Sequence, residues 1–198
     1  MKVVVASNNP GKLRELQAIL APALELVPQS ALGIAEADEP HDTFIENALA
    51  KARHASRAAK LPALADDSGL CVDVLGGEPG VHSAYYAGRE GSRDERDARN
   101  NAKLLASLGE RRSAYYCCLM VLLRRPEDPR PLIAEGIWRG EIARSPRGSE
   151  GFGYDPLFLV PALGRTAAEL SGAEKNRISH RALAARRLLE LLHAADRA

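Results

Sequence analysis

The sequence predicts a mixed-sheet α/β protein, a single domain over residues 1–198 with two lobes and a cleft between them. Strand-like and helix-like segments alternate through the first half, and two long strand-like runs, Tyr115 to Leu123 and Leu132 to Ile142, follow before a helical tail. A chain of 198 residues that is 45% hydrophobic is long enough for one sizeable core, and the long strand pair suits a two-lobed form. Repeats, low-complexity segments and linkers are absent from the sequence.

Val3-Val4-Val5-Ala6 is a β-branched run that reads as a buried strand and stops at Ser7-Asn8-Asn9-Pro10-Gly11-Lys12. A helix follows, with Leu13, Leu16, Ile19 and Leu20 at helical spacing, Asn9 as its cap and Pro10 at its first position. Strand, polar turn and helix start together present backbone N–H groups, and Lys12 adds a full charge, which suits phosphate. Any capped helix shares this pattern, and it lacks the spacing of a Walker loop.

Leu24 to Val27 reads as a second strand and Gly33 to Asp42 as an acidic loop carrying Glu36, Asp38, Glu39 and Asp42. Thr43-x-x-Glu46 is a capping box that opens a helix with Phe44, Ala48, Ala52, Ala55 and Ala59 on one stripe of mostly small residues. Lys51 falls near the buried edge of that helix, where a lysine either snorkels or serves a site.

Ala63-Leu64-Ala65-Asp66-Asp67-Ser68-Gly69-Leu70 interrupts an apolar run with two adjacent carboxylates. It is either a turn, for which Asp-Asp-Ser-Gly has good chemistry, or a site whose carboxylates meet a cation, a donor network or a reacting group. The strand continues to Leu75, Gly76 to Gly80 is a loop, and Ser92-x-x-Glu95 caps an arginine-rich helix to about Leu108, with Ala98, Ala102, Leu105 and Leu108 inward and the charged face in solvent.

In Pro146 to Pro156, glycines surround Phe152 and Tyr154, two aromatics read as exposed and able either to stack on a planar ring or to tuck onto the core. The tail carries capping boxes at Thr166-x-x-Glu169 and Ser171-x-x-Glu174. Its last helix places Ile178, Ala182, Ala185, Leu189 and Leu192 on one face. His180 and Arg181 sit in the first turn, where the helix dipole disfavours positive side chains without an anion or polar ligand nearby.

Composition narrows the partners. With 27 basic against 26 acidic residues and 5% aromatics, nucleic acid is not an expected partner. Cys71, Cys117 and Cys118 lack zinc spacing and read as core residues. Without a basic leader or an apolar run of the ~18 residues a membrane span needs, the expected setting is a reducing cytoplasm.

Five ordered stretches carry a resemblance over nearly the whole chain: Ser7-x-Asn9-x-x-Lys12, Thr43 to Ala48, Ala65 to Leu70, Gly151 to Pro156, and Lys175 with Ser179-His180-Arg181. Together they resemble the inosine/xanthosine triphosphate pyrophosphatases, which hydrolyse non-standard purine nucleoside triphosphates. The resemblance implies an elongated fold with a mixed twisted sheet flanked by helices, a homodimer, magnesium as cofactor, and a nucleotide substrate (ITP, dITP or XTP) cleaved to monophosphate and pyrophosphate.

By the same resemblance Ser7, Asn8, Asn9, Pro10, Gly11 and Lys12 hold the triphosphate, Glu39 and Asp67 serve magnesium, and Asp67 accepts the proton of the attacking water. Ser68 touches substrate, while Phe152, Gly153, Tyr154, Asp155, Lys175, His180 and Arg181 surround the base. Lys51 and Asp66 are supporting residues, with Asp66 either orienting the site or ligating metal. Tyr85 departs from the family, which commonly has arginine there. The alternatives are a pyrophosphatase of modified pyrimidine nucleotides and a nucleotide-sensing or RNA-binding module without turnover.

Overall fold

The computed structural model describes residues 1–21 and 23–195. Its elements run β1 (Lys2–Val5), α1 (Pro10–Leu20), β2 (Glu25–Pro28), α2 (Phe44–Ala59), β3 (Ala63–Val72), α3 (Arg93–Ala106), β4 (Ser113–Leu123), β5 (Leu132–Ile142), β6 (Phe158–Val160), β7 (Arg165–Thr166), α4 (Gly172–Ile178) and α5 (His180–Ala195). The strands form one sheet of order β2-β1-β3-β4-β5-β6-β7. Pairing is parallel from β1 to β2 and β3 and antiparallel from β6 to β5 and β7, so the sheet is mixed, as the sequence predicts.

The chain divides into two compact units, the first comprising Met1–Ser68, Cys118–Gly136 and Ser179–Ala198 and the second Gly69–Cys117 and Ile137–Ile178. In the first unit the two-residue period of the strands builds a core on each side of the sheet. Val3, Val5 and Leu64 pack with Leu16 and Leu20 of α1 and Ala184, Ala185 and Leu188 of α5. The alternate residues Val4, Ala63 and Ala65 pack with Ala48, Ala52 and Ala55 of α2.

Small residues on α2 let that helix lie close to the strands, and Gly136 does the same for α5. A Cβ at Gly136 would lie 2.0 Å from the His180 carbonyl oxygen and 2.5 Å from the Ala184 nitrogen, so only glycine fits beneath the start of this helix. Between β4 and β5, the buried Asp128 carboxylate accepts from the backbone N–H groups of Arg124 and Arg130, both at 3.0 Å. Burial works to raise its pKa, but these donors and the nearby arginines outweigh it and hold the carboxyl below its usual value. Asp128→Ala is expected to cost about 1–2 kcal/mol of stability in chemical denaturation, since two turn N–H groups lose their acceptor. A loss under about 0.5 kcal/mol would mean that water replaces it.

The second unit is centred on Leu70, Val72, Leu104, Tyr116, Trp138, Tyr154 and Phe158. Phe158 lies against both Tyr116 and Trp138, with ring centroids 4.7 Å and 4.9 Å apart. Such tilted pairs add to simple burial.

The Asp66-Asp67 stretch lies inside β3, which decides between the two alternatives against a turn. Four expectations about the elements are corrected. Strand β3 ends at Val72 rather than Leu75, in a 3-10 turn over Asp73–Leu75 closed by left-handed Gly76, whose N–H returns to the Asp73 carbonyl. Ile178 ends α4 and lies off the α5 face, because Ser179 intervenes and its Oγ accepts from the Ala182 N–H. Helix α3 ends at Ala106, and of its expected inward residues Leu105 and Leu108 pack against the core while Ala98 and Ala102 are exposed; Asn100 and Leu104 are the buried ones. Tyr154, read as exposed, is buried and donates its hydroxyl hydrogen to the Ser83 carbonyl at 2.9 Å.

Candidate active site

The Asp66-Asp67 pair belongs to a strand, and this dictates its geometry. Successive side chains of a strand point to opposite faces, so the two neighbouring acids enter different environments. Asp66 follows Leu64 onto the side of α1 and α5, and Asp67 follows Ala63 and Ala65 onto the side of α2. Both are buried.

On the first face, Asp66 Oδ2 collects Lys12 Nζ at 3.1 Å, Arg181 Nε at 3.2 Å, Arg181 Nη2 at 3.1 Å and the Ser68 hydroxyl at 3.2 Å. Burial works against the charge of Asp66, but Lys12, Arg181 and Lys51 outweigh it and hold the carboxyl far below its usual range. It is a fixed anion. Its second oxygen, Oδ1, is buried without a hydrogen-bond partner.

On the other face, Asp67 Oδ1 accepts from Lys51 Nζ at 3.0 Å, and Oδ2 accepts from the Asn47 amide at 3.3 Å. Lys51 also donates to Glu39, which the acidic loop brings within reach. Burial raises the Asp67 pKa, with a further push from Glu39, and Lys51 and Lys12 only partly offset it. Two adjacent acids are thereby driven in opposite directions, one held ionised and the other moved toward accepting a proton. The Lys51 ammonium is held above its ordinary value: burial lowers it, and the charges of Asp67 and Glu39 more than compensate.

Two carboxylates converging on one ammonium form a set of hard oxygen donors around a positive charge. Among the described residues no group of three or more His, Cys, Asp or Glu side chains is arranged to hold a metal. Glu39 and Asp67 could still hold magnesium, which usually takes one or two carboxylates and keeps several waters.

The turn before α1 is built as its sequence predicts. Asn9 Oδ1 accepts from the N–H groups of Gly11 and Lys12 at 2.9 Å and 3.2 Å, and Pro10 takes the first helical position. Ser7 Oγ accepts from the Asn9 N–H, and the Asn8 N–H donates to Glu36 Oε1, both at 3.2 Å. Much of the local backbone is thus already engaged, and Lys12 supplies the positive charge of this turn. Its contact with Asp66 uses one of its three protons.

His180 and Arg181 are buried at the start of α5. The Arg181 guanidinium is engaged by Asp66, by Ser68 Oγ at 2.8 Å and by Glu15 of α1. The anion that a basic helix start calls for is supplied by the protein itself.

The glycine-rich loop belongs to the second unit. Asp155 is buried at its base, with Oδ2 accepting from Lys175 Nζ at 2.6 Å and from the Phe152 N–H at 2.9 Å. The half-buried Phe152 ring has Arg93 and Lys175 each 4.9 Å from its centroid. Gly153 turns the loop with φ +64°, its N–H donating to Asp97 Oδ2 at 2.9 Å and its carbonyl accepting from the Asn101 amide at 3.0 Å. Tyr154 is part of the unit's core, and burial raises its phenol well above the usual value.

The first unit therefore brings together Ser7, Lys12, Glu39, Lys51, Asp66, Asp67, Ser68 and Arg181, and the second brings together Phe152, Asp155 and Lys175. Sequence reasoning did not single out Glu15, Asp97 or Asn101, and it gave Asn47 only as part of the Thr43 to Ala48 stretch. A trace of Asp97 and Asn101 was legible: they are four apart on one helical face.

Residues 3–191 match the model of the Ham1 family. The chain is 62% identical over 194 residues to a Burkholderia pseudomallei protein named dITP/XTP pyrophosphatase, covering 96% of this chain and 93% of that one. It is 59% identical over 200 residues to a protein of the same name from Ralstonia nicotianae, covering 100% and 99%. A HAM1 protein from Coxiella burnetii has a solved structure that aligns with a TM-score of 0.89 at 45% identity, covering 98% of this chain and 99% of that one.

Proposed function

This chain belongs to the Ham1 family, and from that premise we propose that it hydrolyses dITP, ITP and XTP at the α-phosphorus, giving the nucleoside monophosphate and pyrophosphate. Relatives of nearly equal length named dITP/XTP pyrophosphatase support the substrate class. The observation that carries the reading is the division of Asp66 and Asp67 between two faces of β3. Asp66 is locked among cations, while Asp67 stands between Lys51 and Asn47 with its basicity raised.

In this reading Lys12, with Ser7, Asn8, Asn9, Pro10 and Gly11 around it, binds the triphosphate. Asp67 takes a proton from water as the water oxygen bonds to the α-phosphorus. The bond from that phosphorus to its bridging oxygen breaks, and pyrophosphate leaves. Lys51 keeps Asp67 and Glu39 together. A divalent cation, magnesium in this reading, would be held by Glu39 and Asp67 and, when bound, neutralises phosphate charge. Arg181 acts by fixing Asp66 and Ser68.

Phe152 stacks on the base, with Gly153, Tyr154 and Asp155 shaping the loop. Lys175 donates to the 6-keto oxygen of hypoxanthine or xanthine. Adenine presents an amino group there, a donor facing the ammonium that Asp155 holds, which discriminates more strongly than shape alone. The reading includes a cytoplasmic homodimer. Free nucleotides, without nucleic acid or membrane partners, suit a net charge of +1 and described helices too short or polar to cross a membrane.

The direct test is a panel of dITP, ITP, XTP, dATP, dUTP and methylated dTTP, with and without magnesium, measuring both phosphate products. Equimolar monophosphate and pyrophosphate from dITP, dependent on magnesium, is the expected result. Orthophosphate as the sole phosphate product would overturn the proposed bond cleavage.

A further inference from the structure

The inward face of α3 presents polar groups to both backbone groups of a single residue of the glycine-rich loop. Asp97 Oδ2 accepts the Gly153 N–H at 2.9 Å, and Asn101 Nδ2 donates to the Gly153 carbonyl at 3.0 Å. Asp97 and Asn101 are one helical turn apart, so one rigid element grips both ends of the residue. The start of α3 is itself fixed by a complete capping box between Ser92 and Glu95.

A Cβ at Gly153 would meet no atom within 4 Å, but its φ of +64° is left-handed. Glycine there serves backbone conformation rather than space. On the other side of the loop, Asp155 accepts the Phe152 N–H and pairs with Lys175. The Phe152 ring lies near Arg93, which pairs with Asp97 at 3.9 Å, and near Lys175. Rotating the Phe152–Gly153 peptide to swing that ring would break the Asp97 bond.

We propose that Asp97 and Asn101 are positioning residues for nucleobase recognition, acting as a two-point clamp that holds the Phe152–Gly153 backbone in its base-stacking conformation. The inference rests on the assignment of Phe152 to the base. Neither residue is a catalytic residue. Their effect is confined to ligands that carry a base, because phosphate recognition is assigned to Lys12 and its turn.

The test compares Asn101→Ala, Asn101→Asp, Asp97→Ala and Asp97→Asn in the full chain, reading KM and kcat for dITP and inhibition by inorganic triphosphate, which has no base. Asn101→Ala, Asn101→Asp and Asp97→Ala are expected to raise KM for dITP about tenfold, the scale of one lost hydrogen bond. Their kcat should stay within about threefold, with inhibition by triphosphate unchanged. Asp97→Asn keeps an oxygen acceptor for the Gly153 N–H and is expected to restore most of the affinity lost in Asp97→Ala. Unchanged KM in the first three variants, or an equal loss of triphosphate inhibition, would overturn the clamp. Phe152→Ala separates the premise: unchanged KM there removes the base assignment, whereas a raised KM beside normal Asn101 variants removes the clamp alone.

Discussion

Replacing Asp67 with asparagine is expected to reduce pyrophosphate release from dITP by about a thousandfold or more while leaving the fold intact. General-base catalysis alone accounts for roughly 10²–10⁴ in rate, and the same carboxylate is assigned a share of the metal. Asparagine keeps the shape of the side chain, and its oxygen can still accept from Lys51, which retains Glu39 as a charged partner. The thermal midpoint should therefore change little. A product assay beside a melting curve checks both parts. Near-normal turnover would move proton acceptance away from Asp67, and Asp66, held ionised by Lys12 and Arg181, is poorly suited to take it over.

The acid pair also marks the boundary of what the sequence made legible. The apolar run around it was readable as a strand, but Asp-Asp-Ser-Gly satisfied turn rules equally well, and the place of β3 between β1 and β4 in the sheet decides in favour of a strand. Once the strand is established, its two-residue period separates the roles of Asp66 and Asp67. Capping chemistry was legible at Asn9, Thr43, Ser92, Thr166 and Ser171 because caps are local.

Misreadings arose where polar residues face inward. On α3 hydrophobicity favoured Ala98 and Ala102, yet the helix turns Asn100 and Leu104 inside, because Asn100 Oδ1 accepts the Ala87 N–H and its amide donates to the Ser83 and Ala84 carbonyls. Backbone groups of a neighbouring loop needed partners, and satisfying them outweighed burying two alanines. Arg181 is the same problem at long range. Its anions, Asp66 and Glu15, are 115 and 166 residues away in sequence, so a local reading saw only an uncompensated charge at a helix start.

That long-range pairing predicts the largest stability effect. Arg181 is 1% exposed and its guanidinium contacts Asp66, Ser68 and Glu15. Arg181→Met keeps much of the volume but leaves Asp66 buried with Lys12 as its nearest cation, and Glu15 without the guanidinium. Breaking one side of a buried pair typically costs about 3–5 kcal/mol, since the remaining charge is left without compensation. At about 2–4 °C per kcal/mol for a chain of this size, the thermal midpoint should fall by roughly 6–20 °C.

Arg181→Lys retains the charge but not the fork that reaches three partners, and should recover only part of the loss. Adding Asp66→Asn to Arg181→Met removes the stranded carboxylate, so the double variant should be more stable than the sum of the single changes requires. Strict additivity would mean that Lys12 alone neutralises Asp66. In that event the arginine would be fixed mainly by Glu15, and the division of labour between the two aspartates would rest on Lys12.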